Sequence, residues 1–447
     1  MTAITYDRRR KPPGATARAA SASGRGFWPA FPVVLLLISL VLPWTLTFGP
    51  IAVSPYRLVL LCLTPPCCVY WLSGKAGKIR LPDVLIALYC LWCTLALVMV
   101  HGPSAAVEPG GMLFIETLGA YLVARCFIRR PSDFVATSRL LFVIVALMMP
   151  LALLETVTRQ KVMLNLFDLV LPTIEATYMG YRWGLARVQG PVEHPILFGV
   201  FCGGAVAFTY FVVAREAGLV RRWLMTGAMA LTAMLSLSSG PITAVLAQLA
   251  LVAWNGVLGR VTARWKILWV IVICAYVVLE LGSNQSVAQI LTRFAFDPWT
   301  AFYRLLIFEY GWASVMAHPF FGTGFNEWLR AAWMPPSIDM FWLLPAVRHG
   351  LPAGMLLMLA FFAACWSVSR KVEGTGAARD FATGYLITMT GFFLVGWTVH
   401  FWNATYVLFM FLLGSGMWLI DHPSDAGDGT EVRRRRPGVP VPRGALR

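Results

Sequence analysis

Apolar residues run through this chain in stretches of about twenty, without the alternation of a half-buried strand or the one-sided stripe of a soluble helix. A run of that length crosses a hydrocarbon core as an α-helix. Twelve such runs can be placed, at roughly 28–48, 52–72, 82–100, 110–128, 135–154, 195–214, 222–238, 241–258, 265–282, 340–366, 382–400 and 403–420. Most connections between them are short. Two are long, 155–193 and 283–339, and both fall on the same side if every run crosses once. The pattern predicts an all-α integral membrane protein of about 12 transmembrane helices, with a large outer loop between helices 9 and 10. One polytopic domain over 27–421 is expected, flanked by disordered basic tails at 1–26 and 422–447.

Charge orients these helices. The chain has 447 residues, 58% of them hydrophobic and 13% charged, and a net charge of +16. Such an excess would suit a nucleic-acid binder if it formed a patch, but the Lys and Arg are dispersed among the connections. Segments 73–81, 129–134, 215–222, 259–266 and 369–381 each carry at least two, and 433–436 is all Arg. The short connections 49–51, 101–109, 238–240 and 401–402 carry none. This is the positive-inside pattern, which places both termini in the cytoplasm and removes nucleic acid as a partner. The first apolar run lacks a cleavage signal after it and is read as a retained anchor. The nine Cys lie within or beside apolar runs, and Cys90-x-x-Cys93 sits mid-helix without polar neighbours, so neither a metal nor a disulfide is expected.

Some cations break the inward bias: Arg57, Arg159, Lys161, Arg182, Arg187, Arg293, Arg304, Arg330 and Arg348 all fall on the outer side. An anionic ligand is the natural reason. Three constellations carry these cations. In Arg187-Val-Gln-Gly190-Pro-Val-Glu193-His194-Pro195, a turn precedes a helix whose free N–H groups favour an anion, with Arg187 as a bidentate partner or as an Arg snorkelling to headgroups. Arg304 lies in an aromatic, amphipathic stretch over 301–317, predicted as an interfacial helix stopped at His318-Pro319. Asp339 stands at the mouth of the tenth run, as a functional carboxylate or a helix N-cap, with Arg348 and His349 two to three turns further in. His349 could equally hydrogen-bond a neighbouring helix. His101, His400 and His422 are isolated in sequence. The two long loops are expected to form one site.

Together these motifs resemble the O-antigen ligase/polymerase superfamily of bacterial membrane glycosyltransferases, over about 184–354. Arg187-x-x-Gly190 with His194-Pro195 is similar to that family's R-x-x-G…(N/H)-P element. Leu235-Ser-Leu-Ser-Ser-Gly240 takes the place of its serine-rich turn, without the Arg often found there. Arg304 with His318-Pro319 and Gly322-x-Gly324 is similar to its R…P-x-x-G-x-G element. Asp339-Met340 stands where ligases carry His-Asn, which looks more like the exopolysaccharide polymerases.

The resemblance implies a metal-independent glycosyltransferase of the bacterial inner membrane with no cofactor. It would polymerise lipid-diphosphate-linked repeat units into an exported polysaccharide at the periplasmic face. The implied partners are a polyprenyl-diphosphate-linked oligosaccharide, the lipid bilayer, and flippase and chain-length or export proteins. Diphosphate binding falls to Arg187, Arg304, Arg348 and Arg57, and catalysis to Asp339, with Glu193 and His349 in reserve. The alternatives are an O-antigen ligase acting on lipid A-core and a 12-helix transporter or flippase. Against transport, no half-repeat is evident and the helices hold few charges.

Overall fold

A computed structural model describes residues 28–49, 51–282, 298–371 and 376–421. Both tails, and Arg293 in the second long loop, lie outside them. Helix α1 (Phe31–Ser39) leads into a hairpin of β1 (Leu46–Phe48) and β2 (Ile51–Val53), and then α2 (Pro55–Leu72). Helices α3 (Leu81–His101), α4 (Pro103–Phe127) and α5 (Pro131–Thr158) follow, then a short α6 (Val162–Asp168) in the first long loop. Next come α7 (Pro195–Val213), α8 (Leu219–Met234), α9 (Ser239–Val257) and α10 (Arg264–Gly282). After α11 (Pro298–Ala317) and a six-residue α12 (Leu344–His349), the described fold closes with α13 (Leu351–Ser369), α14 (Ala377–Gly396) and α15 (Asn403–Asp421).

Among the described residues, 8 helices are long and apolar enough to cross a membrane: α3, α4, α5, α7, α9, α10, α13 and α15. The multi-pass, all-α architecture is therefore clear. Helices α1, α2, α8 and α14 fall on the other four expected runs but are shorter or less apolar. The first run, expected over 28–48, is helical only to Ser39. Pro43 cannot continue the hydrogen-bond ladder. Its carbonyl accepts from Ile174 N (2.8 Å), and Thr45 N donates to Pro172 O (2.9 Å), which ties the chain to the first long loop.

Burial sorts the helices into rings. In α7 and α15, 89% of the apolar stretch is buried inside the protein, whereas in α10 none of it is, although α10 is more apolar than α15. An apolar helix with no protein cover needs lipid around it. The centre is close-packed through small residues, as helix pairs in membranes require. A side chain at Gly414 of α15 would collide with Tyr121 O of α4, so glycine there lets the two backbones touch. Helix α4 carries a π-turn at Ile115–Gly119, which displaces its register around Glu116.

The tenth run, expected to be one helix over 340–366, is two. Pro345 opens α12, Gly350 takes φ +84°, and Pro352 opens α13 in a new direction. Asp339 does not cap a helix, because α12 begins at Leu344 with Leu343 as its N-cap. Arg348 and His349 lie at the end of α12, outside α13. The stretch 301–317 is helical, as part of α11, which ends at Ala317 before His318-Pro319.

Candidate functional site

The site is built around the connector 397–402, between α14 and α15, which joins two apolar helices at one end of the bundle. Its backbone is gripped from three sides. Phe341 N donates to Gly396 O (2.8 Å) and Val399 O (3.2 Å), and Arg304 Nε donates to Thr398 O (2.7 Å). On the third side, a β-carbon at Gly240 would lie 2.8 Å from Thr398 Oγ1, so the serine-rich turn 235–240 is pressed against the connector.

The connector's own side chains reach the remaining groups. The His400 ring stacks against Trp402 (5.7 Å) and Phe341 (6.4 Å), and Trp402 lies 6.2 Å from the His194 ring. Asn403 follows with φ +51°, a conformation Asn tolerates better than most residues. Its amide bridges two predicted residues: Arg57 Nη2 donates to its Oδ1 (3.0 Å), and its Nδ2 donates to Glu193 Oε1 (2.8 Å). Arg57 Nε also pairs with Glu116 Oε1 at 2.7 Å. The π-turn in α4 brings that carboxylate under Arg57. The other Glu193 oxygen, Oε2, is buried without a hydrogen-bond partner.

The first long loop is held by a polar network of its own. Glu155 Oε1 accepts from Gln189 N (2.9 Å) and pairs with Lys161 Nζ (3.5 Å). The Gln189 amide accepts from Thr177 N (2.7 Å) and donates to Glu175 O (3.1 Å). This fixes the backbone on either side of Arg187. Its Nη2 donates to Ser238 Oγ (2.7 Å) and its Nε to Ser236 O (3.4 Å), while Arg182 Nη1 donates to Leu237 O (2.8 Å). Two arginines thus hold the turn 235–240, where Leu237 takes φ +45°. At 7% exposure Arg187 is a buried structural cation and not a snorkelling one. Removal of the Ser238 hydroxyl leaves that cation short of an acceptor. Ser238→Ala is expected to cost about 1.5–3 kcal/mol, the usual size of a hydrogen bond to a charged group. A lower melting temperature in detergent, at unchanged expression, would show it.

Burial shifts several ionisable groups near the connector. Desolvation, then the charge of Arg187, brings His194 down to about 4, and its Nδ1 accepts the α7 N-terminal Ile196 N–H (3.1 Å). Desolvation and then Arg348 bring His349 to about 4 and His400 to about 3. All three imidazoles are therefore neutral at neutral pH. Burial raises the carboxyls of Glu193 and Asp339 above their ordinary values, opposed by Asn403 and Arg57 for Glu193 and by Arg304 and Ser337 for Asp339. Arg187 falls to about 10 through burial and then Arg182, and stays cationic.

The predicted residues therefore divide. Arg57 and Glu193 share one hydrogen-bonded chain through Asn403. The charge of Arg304 acts on Asp339, and Arg304 touches the connector. Arg348 packs its guanidinium over Phe325 (5.6 Å) with its charge acting on His400. Arg187 reaches the connector only through the turn 235–240. His349 stands apart: its carbonyl accepts from Trp92 Nε1 (3.0 Å), and its Nδ1 is buried without a hydrogen-bond partner.

Sequence reasoning passed over Glu116, His400 and Asn403. The available signal was polar residues at the ends of apolar runs, where they are costly unless used. Among the described residues, no group of three or more His, Cys, Asp or Glu has a metal-holding arrangement. No protein-family model and no curated protein matches this chain.

Proposed function

We propose that this protein is a membrane glycosyltransferase that polymerises lipid-diphosphate-linked repeat units into an exported polysaccharide. One observation carries the reading: Arg304 grips the connector 397–402, its charge acts on Asp339, and Arg57 and Glu193 meet at Asn403 next to the connector, at one end of an apolar helical bundle. Fixed cations in a site of low dielectric stabilise a departing diphosphate. A carboxylate raised by burial accepts a proton from an attacking hydroxyl more readily than an ordinary one.

In this reading Arg304 and Arg348 face the diphosphate, and Arg187 orders the turn beneath it. The acceptor hydroxyl attacks the anomeric carbon. The new C–O bond forms as the bond to the diphosphate oxygen breaks, and the lipid diphosphate leaves with the electron pair. The hydroxyl proton passes to Asp339, next to Arg304. Glu193, anchored through Asn403, orients the acceptor with its open Oε2.

The proton step predicts a pH profile. Asp339 must be ionised to act, and burial holds its pKa above the ordinary carboxyl value. Transfer should therefore fall as pH drops through that raised value, at a pH where an exposed Asp would still be charged. Initial rates on purified lipid-linked repeats should show this acid limb in the wild type and in Glu193→Gln. Asp339→Asn should leave only residual, pH-flat turnover. Full activity with an unmoved limb in Asp339→Asn would remove Asp339 from the proton step.

The polymerase itself is tested by glycan analysis of a deletion strain carrying wild-type or Asp339→Asn protein at equal membrane level. Loss of polymer with accumulation of single lipid-linked repeats supports it. Polymer of normal length that fails to attach to the cell surface points to ligation instead.

A further inference from the structure

A preformed cavity lies far from the connector. Helix α2 carries Arg57 in its first turn and runs 18 residues, about 27 Å at 1.5 Å per residue, before the chain reaches this cavity beyond Leu72. Helix α15 likewise starts at Asn403 in the site and ends at Asp421 in the cavity wall. The two features occupy opposite ends of the bundle. The cavity holds about 440 Å³, the size of a small-ligand site.

Its lining is strongly cationic. Lys78, Arg80, Arg125 and Arg129 face it, against the single lining carboxylate of Asp421. That carboxylate is shared between Arg125 Nη1 (2.6 Å) and Arg80 Nη2 (2.9 Å), and Asp83 lies behind Arg125 at 3.5 Å. Arg125 is 1% exposed and held rigid: Nη1 donates to Ala76 O (2.8 Å) and Nη2 to Lys78 O (2.8 Å). These bonds shape the loop 76–78 into the cavity wall. Positive charge therefore exceeds negative charge in a preformed recess. Trp418 and Ile420 give it an apolar side, and Ile79 and Leu81, chain neighbours of Lys78 and Arg80, are exposed at 48% and 63% beside it.

We propose that this cavity binds a phosphate group, supplied in the membrane by the headgroup of an anionic phospholipid. The cations recognise the phosphodiester, and the acyl chains lie along the apolar surface at Ile79 and Leu81. Recesses of this kind between helix ends are suited to anionic headgroups. The binding is independent of the glycan site, and its role is to anchor the α2–α3 loop to the end of α15.

The test uses full-length protein, delipidated in detergent, with native mass spectrometry for adducts and thermal melting for stabilisation. Phosphatidylglycerol should give a saturable adduct and a raised melting temperature, and phosphatidylcholine should give neither. Lys78→Glu and Arg129→Glu, both at exposed positions, should weaken the adduct by at least about fivefold each, as loss of one surface cation does. Both should fold, with an unchanged melting temperature in the absence of lipid. If inorganic phosphate alone gives the full shift and displaces the lipid, the site takes free phosphate and the lipid assignment falls. Equal binding of both phospholipids, or variants that bind phosphatidylglycerol like the wild type, would overturn the site altogether.

Discussion

Replacing Arg304 with Ala is expected to abolish polymer in cells and to leave single lipid-linked repeats, at a normal level of protein in the membrane. Arg304 does two things at once. Its Nε donates to Thr398 O (2.7 Å), which fixes the connector that His400 and Asn403 depend on. Its charge lies beside Asp339, where it opposes the effect of burial on that carboxyl. Removing a donor aimed at developing negative charge lowers turnover by about 10²–10³, or about 2.7–4 kcal/mol of transition-state stabilisation. Arg304→Lys separates the two roles. It keeps a cation but loses the planar fork and the Nε donor, so it should recover only part of the activity. The measurement is turnover of purified lipid-linked repeat units beside an immunoblot and a melting curve. Wild-type turnover in Arg304→Ala would remove the connector from the proposed chemistry.

The largest effect on stability is expected at Gly350. Its φ of +84° is the left-handed region that side chains rarely adopt, and a β-carbon there would overlap Phe320 O and the carbon that bears it. Neighbouring backbone is locked to it from both sides. Leu351 N donates to Pro319 O (2.7 Å), and Gly324 N donates to Arg348 O (2.9 Å), so Phe320 cannot move aside cheaply. Strained φ costs about 1–3 kcal/mol and an overpacked contact about the same again. Gly350→Ala should therefore lose several kcal/mol, most of the margin of an ordinary domain. Gly376, with φ +72° and nothing within 4 Å of its β-carbon, isolates the backbone part. Gly376→Ala should melt only slightly below the wild type, while Gly350→Ala should be largely lost from the monodisperse peak of detergent extracts. Equal behaviour of the two variants would mean that the contact with Phe320 is not what demands glycine.

Much of the architecture was legible in the order of the residues. The apolar runs at 82–100 and 135–154 appear as α3 and α5 with nearly those bounds, because crossing a bilayer is a requirement each segment meets by its own composition. The stop at His318-Pro319 likewise appears, with α11 ending at Ala317. The first run misled because Pro43 stands inside it, and the hairpin β1–β2 replaced a helix that hydropathy alone would have continued. The tenth run misled for the same reason: apolar composition over 340–366 hid the break that Gly350 and Pro352 impose.

Hydropathy is a sum over neighbours along the chain, and so the sequence by itself determined the multi-pass membrane class and most of the helical elements. It also marked Arg57, Glu193, Arg304 and Asp339 one by one. Their grouping is another matter. Glu116 comes under Arg57 through a π-turn in another helix, and Asn403 bridges Arg57 to Glu193 across separations of 346 and 210 residues. Arg304 reaches a carbonyl 94 residues away. Arg187 looked like a cation free for a ligand and is instead bound to the turn at Ser238. Such contacts depend on how helices pack against one another, which no local pattern encodes. Only the tertiary structure decided that Arg304 grips the connector 397–402, one of the least conspicuous segments of the chain, and that Arg57 and Glu193 meet at Asn403 next to it.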